Sequence, residues 1–131
     1  MNGLVLGLIA VSVALSSSAQ VLLKYGMSAA SVQAALRSGE PVRIAWALCG
    51  SAGVVTGLLA FGLSVAAWLL VLSRTDVSFA YPFVALGIIA TTLSGRFLLG
   101  EELSMLRLAG IAIVVVGVLL VAASGPTGSE P

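Results

Sequence analysis

The chain has 131 residues, of which 60% are hydrophobic and 8% charged, and its net charge is +1. So few charges cannot cover the surface of a soluble domain of this length, and they form no basic patch for nucleic-acid phosphates. With no histidine and a single cysteine, Cys49, the chain has no intramolecular disulfide and lacks the usual ligands for zinc or haem.

The charges sit at the ends of four long apolar stretches. A helix crosses the hydrocarbon core with about 20 apolar residues. The predicted spans are Leu4–Leu23, Ile44–Leu72, Val77–Leu98 and Leu106–Ala123. The expected fold class is therefore an all-α membrane protein with four transmembrane helices in one domain over residues 1–124. The small, polar tail from Gly125 to Pro131 is expected to be disordered.

The first span lacks the basic leader of a secretory signal before Ser16, so it is read as a retained helix rather than a cleaved peptide. Within it, Ser12, Ser16, Gln20 and Lys24 recur every four residues, which places them along one helix face. One reading is a polar lining that ends in a cation and receives an anionic group such as a phosphate. The other is that the serines pack against neighbouring helices while Lys24 reaches out to lipid headgroups. The Gln20 amide, which needs partners at membrane depth, favours the lining.

The loop from Gly26 to Arg43 is the one sizeable extramembrane segment, with a short interfacial helix expected near Ser28–Arg37 and a turn at Ser38-Gly39-Glu40-Pro41. The second span carries no charge, and its Gly53 and Gly57 form a small-residue packing pair, as Gly3 and Gly7 do on the first. Trp46, Trp68 and Tyr81 are candidates for the headgroup level. The tight Ser73–Asp76 loop makes the second and third spans an antiparallel hairpin.

The third span opens with Phe79-Ala80-Tyr81-Pro82. Pro82 lacks an amide hydrogen, so it either begins the helix or kinks it beside a cavity. Thr91, Thr92 and Ser94 follow, and Arg96 lies near the end. After the Gly100-Glu101-Glu102 turn, the fourth span is almost wholly aliphatic. Its Gly110 and Gly117 lie seven residues apart, two turns along one face. With no polar group to line a path, this helix is expected to associate with a second subunit, making a dimer.

Lys24, Arg37, Arg43, Arg96 and Arg107 flank the two loops on one side, whereas Arg74 stands alone on the other. The positive-inside rule makes the first side cytoplasmic and puts both termini outside.

Taken together, the chain resembles the small multidrug resistance and drug/metabolite transporter (EamA-like) superfamily, whose compact four-helix subunits work as dimers. The resemblance covers about Leu4 to Ala123 and rests on Gln20-Val-Leu-Leu-Lys24 and the Gly110–Gly117 spacing. Cation exporters of that superfamily carry a membrane glutamate eight residues before the lysine. Here Ser16 stands in its place, and no acidic residue lies in any span.

The chain is more similar still to the aminoarabinose-phosphoundecaprenol flippase subunits of the ArnE/ArnF type. The matching residues are Ser18-Ala-Gln20 with Lys24, Trp68-Leu-Leu-Val-Leu-Ser73, Val77-Ser-Phe-Ala-Tyr81-Pro82, and Glu101. This resemblance implies a transporter subunit of the bacterial inner membrane, without enzymatic chemistry or cofactor. It would flip a polyprenyl-phosphate glycolipid by alternating access, as a homodimer or with a similar small subunit.

On this reading Ser16, Gln20 and Lys24 receive the headgroup. Trp68 and Tyr81 stack on the sugar or line the portal beside Pro82, and Arg96 attracts phosphate at the cytoplasmic mouth. A drug or small-solute exporter of the same fold remains the alternative, as does a non-transporting membrane scaffold.

Overall fold

The computed structural model describes residues 3–125, which form helices and the turns between them. The rest of the tail expected to be disordered, from residue 126 onward, lies outside the described residues. Helix α1 runs over Gly3–Met27, α2 over Ala30–Ser38, α3 over Pro41–Gly50 and α4 over Ala52–Leu72. A single turn, α5 at Val77–Ala80, passes through a 3₁₀ turn at Tyr81–Phe83 into α6 at Val84–Leu98, and α7 closes the chain at Met105–Ser124.

Among the described residues, four helical runs are long and apolar enough to cross a membrane: α1, α4, Val77–Leu98 and α7. The second is shorter than expected. The stretch Ile44–Leu72 was predicted as one span, but it divides at Ser51. There the backbone turns extended (φ −85°, ψ 113°), ending α3 and starting α4. Ser51 serves both helices. Its N–H donates to the Leu48 carbonyl at 3.2 Å, and its hydroxyl accepts from the Val54 N–H at 3.4 Å. Hydropathy alone is blind to this break, because the residues on both sides of it are apolar.

The segment before α3 is set by local chemistry. Gly39 takes the left-handed conformation (φ 71°) that ends α2, and Pro41 sits in the first turn of α3, where its missing N–H costs nothing. Val32 and Ala35 bury one side of α2, whereas α3 has no buried residue.

Helices α1 and α4 form the central pair and run antiparallel. Gly26 faces Gly53 and Val54 at one end, Leu23 faces Gly57, and Ser12 faces Ser64 further along. At Gly26 and Gly53 the two backbones touch. A Cβ on Gly53 would lie 2.8 Å from the Gly26 Cα. The Gly53–Gly57 pair therefore packs as small-residue helix pairs do in membranes, whereas Gly3 and Gly7 meet nothing within 4 Å.

Helix α6 lies beside α1 in the same direction, joined where the Ser17 hydroxyl donates to the Gly87 carbonyl at 3.5 Å. Pro82 occupies the 3₁₀ turn inside the third span, as its sixth residue counted from Val77. It thus lies beyond the first turn, and a proline there cannot continue the α-helical ladder.

The two ends of the bundle differ. At one, Val5 and Ile9 of α1, Val71 of α4, Phe79, Ala80 and Phe83 of the hairpin, and Val118 of α7 form an apolar core. The Phe79 and Phe83 rings sit 5.5 Å apart at 53°. At the other end stand Lys24, Glu101 and Arg107, and the helices part there to leave polar hollows between them.

Candidate functional site

Ser16 and Gln20 of α1, Thr91 and Thr92 of α6, and Glu101 and Arg107 line a groove of about 480 Å³. Phe61 of α4 and Val84 supply part of its apolar wall. Two further hollows continue from it toward the charged end. One, of about 180 Å³, is lined by Gln20, Lys24, Thr91, Gly95 and Glu101. The other, of about 460 Å³, is lined by Lys24, Tyr25, Ser28 and Glu101. Glu101 lines all three.

The polar stripe predicted on α1 divides between two neighbours. Ser12 is buried against α4, bonded to Ser64, so it packs helices and lines nothing. Ser16 and Gln20 face the groove. The Ser16 hydroxyl donates to the Val13 carbonyl of its own helix at 3.0 Å, leaving its oxygen free to accept from a ligand. A straight helix drifts relative to a four-residue repeat, since four residues turn it by slightly more than one revolution. Over three such steps the stripe passes from the α4 seam to the α6 side.

Opposite Ser16 and Gln20, α6 presents Gly87, Thr91 and Gly95, again four residues apart. Gly87 faces Ser16 with room to spare. A Cβ there would lie 3.9 Å from the Ser16 hydroxyl, ordinary van der Waals contact. Thr92 bonds its own Ile88 carbonyl at 2.7 Å.

Gly95 and Gly100 place Glu101. Gly100 takes φ 69°, a conformation open to glycine, and turns the chain back so that the Glu101 N–H donates to the Gly95 carbonyl at 3.0 Å. The Glu101 carboxylate then folds over the end of α6, where an oxygen lies 2.8 Å from the position a Gly95 Cβ would take. Its other oxygen faces the Lys24 ammonium at 3.9 Å, with the two side chains 44% and 60% exposed. That length and exposure make the contact a loose, water-accessible ion pair that adds little to stability and parts easily.

The remaining predicted residues lie elsewhere. Trp68 packs against the apolar core at the opposite end. Tyr81 is 63% exposed and, like Pro82 and the exposed Arg96, lines none of the three hollows. The structure thus gathers Ser16, Gln20 and Lys24 and separates them from Trp68, Tyr81, Pro82 and Arg96. Gly110 and Gly117 are on exposed faces of α7 with nothing within 4 Å.

Sequence reasoning left Glu101, Arg107 and Thr91 out of the site. The matching signal was the Gly87–Thr91–Gly95 stripe, whose spacing repeats that of Ser16–Gln20–Lys24 and leads into the Gly-Glu turn.

A four-helix bundle with charges at one end and a polar groove beside its first helix defines a small multi-pass membrane protein. No protein-family model and no solved structure matches the chain. Curated proteins do.

A protein of Shewanella sediminis named "Probable 4-amino-4-deoxy-L-arabinose-phosphoundecaprenol flippase subunit ArnF" is 34% identical over 128 residues, covering 92% of this chain and 87% of that protein. The similarly named ArnE subunit of Pseudomonas aeruginosa UCBPP-PA14 is 43% identical over 67 residues, which is 51% of this chain and 58% of that protein. That of Pseudomonas paraeruginosa PA7 is 46% identical over 63 residues, which is 48% and 55% respectively. The chain spans a little over half the length of these ArnE relatives.

The chain belongs to the ArnE/ArnF family of flippase subunits. It is a multi-pass protein of the bacterial inner membrane.

Proposed function

We propose that this chain is one subunit of a dimeric flippase that carries a polyprenyl-phosphate-linked sugar, such as 4-amino-4-deoxy-L-arabinose-phosphoundecaprenol, across the inner membrane. The observation that carries this reading is the groove between α1 and α6, polar along Ser16, Gln20 and Thr91 and bordered by the cations Lys24 and Arg107 at its charged end. Lys24 and Arg107 supply charge-assisted donors for the phosphate, and the hydroxyls and the Gln20 amide exchange hydrogen bonds with the sugar. The aliphatic outer faces leave the polyprenyl tail in the bilayer.

A single subunit encloses the groove on one side only. In the proposed dimer a second small subunit packs on the exposed face of α7, where Gly110 and Gly117 allow close approach. Rocking of the two subunits then exposes the groove to one side of the membrane and then the other. No covalent step is involved.

Cation export of the drug-resistance type has less support, because Ser16 occupies the position where those exporters place a carboxylate.

The test is transbilayer movement of a phosphoprenyl amino sugar in proteoliposomes, with the full chain alone and with a similar small subunit. Lys24→Ala is expected to slow flipping by about tenfold or more, the scale of a lost charge-assisted contact. A Lys24→Ala protein that flips at the normal rate removes the phosphate role. Proton-driven uptake of a quaternary cation would replace the reading with the exporter one.

A further inference from the structure

The groove and the two hollows beside it hold charges of both signs. Lys24 and Arg107 are cationic, while Glu101 brings a carboxylate that lines all three hollows and pairs loosely with Lys24 at 3.9 Å. A site for phosphate alone has no use for that carboxylate, which would repel the ligand and hold its lysine. Yet the local backbone is arranged to keep it there. Gly100 turns the chain back, and the lack of a side chain on Gly95 leaves the space the carboxylate occupies.

Resting on the function proposed above, we propose that Glu101 is a specificity residue that receives the ammonium of a zwitterionic headgroup, one bearing both a phosphate and a protonated amine. Lys24 and Glu101 pair loosely with each other. As the headgroup enters, its phosphate takes Lys24 and Arg107 while its ammonium takes Glu101, so the pair opens by exchange and no charge is left alone. A headgroup with phosphate but no amine also draws Lys24 away. It then strands the Glu101 carboxylate beside a second anion. Selectivity for the amine thus comes from the penalty on the wrong ligand as much as from the contact with the right one. The looseness of the pair suits this role, because a tight, buried bridge would resist opening.

The experiment uses the full chain, with its partner subunit where flipping requires one, in proteoliposomes. Two probes compete: a phosphoprenyl 4-amino sugar, and the same lipid N-acetylated, which keeps the phosphate and loses the ammonium. The unmodified protein is expected to prefer the amine lipid by about fivefold, the upper end for one partly exposed charge contact. Glu101→Gln is expected to bring the ratio close to one.

Gly95→Ala gives an independent check, since its Cβ would displace only the flexible end of Glu101 and leave the backbone undisturbed. It should reduce the ratio in the same direction. If the unmodified protein shows no preference, or if either variant in its folded form keeps the full ratio, the role of Glu101 is overturned. If neither lipid binds or moves, the flippase reading itself fails, and the inference with it.

Discussion

Ser12 and Ser64 exchange hydrogen bonds across the α1–α4 seam. The Ser12 hydroxyl donates to the Ser64 carbonyl at 3.0 Å, and the Ser64 hydroxyl donates to the Ser12 carbonyl at 3.1 Å. Both residues are buried, and 52 positions of chain separate them. In hydrocarbon, where no water competes, such a reciprocal pair fixes both the spacing and the axial register of two helices. Ser12→Ala or Ser64→Ala is expected to cost about 0.5–1.5 kcal/mol, the range for interhelical hydrogen bonds in membranes. Ser12→Leu, which also forces the seam apart, should cost about 1–3 kcal/mol. Reversible unfolding in bicelles measures each value.

A harsher effect is expected one end of the seam away. A Cβ on Gly26 would collide with the Val54 backbone nitrogen and lie 2.8 Å from the Gly53 carbonyl carbon. Backbone cannot swing aside as a side-chain tip can, so Gly26→Ala must separate the helices, at about 1–3 kcal/mol. Gly62→Ala on the same α4 meets nothing within 4 Å and serves as the control. Equal losses of stability in the two variants would contradict the close approach.

The proposed dimer face answers to a different measurement. Gly117 is exposed, and a Cβ there would meet nothing in its own subunit. Gly117→Leu is therefore expected to leave subunit stability within about 0.5 kcal/mol of the original. If α7 is the contact between subunits, the same variant loses cross-linked dimer and flipping together. Retention of dimer in Gly117→Leu moves the interface to another helix.

Helix α3 invites a fluorescence test. Val42, Ala45, Trp46 and Cys49 border a shallow hollow on it, and Trp46 is 75% exposed, whereas Trp68 packs against the core. An amphipathic segment with an outward tryptophan belongs at the headgroup level. In a Trp68→Phe background, lipids brominated near the headgroup should quench Trp46 more strongly than lipids brominated near the chain ends. The reverse order would place α3 deep in the bilayer.

Much of the fold was legible because lipid imposes a simple rule: a span is a long apolar run, and charges mark its ends. The Ser51 break escaped that rule because a capping serine between two apolar helices changes hydropathy very little. The site was legible in part. Ser16, Gln20 and Lys24 stood out as polar exceptions at helical spacing; Ser16 and Gln20 line the groove, and Lys24 lines the two hollows beside it. Ser12 shared their spacing yet faces α4, since sequence period places residues on a face but does not say which neighbour that face meets. Trp68 and Tyr81 were chosen for their chemistry, and packing sends them to the other end or to the surface.

By itself, then, the sequence determined four membrane helices, a polar stripe on the first of them, and Lys24 at its charged end. These follow from local composition and period alone. Only the tertiary structure decided that Glu101 belongs with Lys24. The two residues are 77 positions apart, and what joins them is the parallel packing of α6 on α1, the left-handed turn at Gly100 and the missing side chain at Gly95. Such a pairing depends on how helices dock, a property of contacts that no linear reading contains.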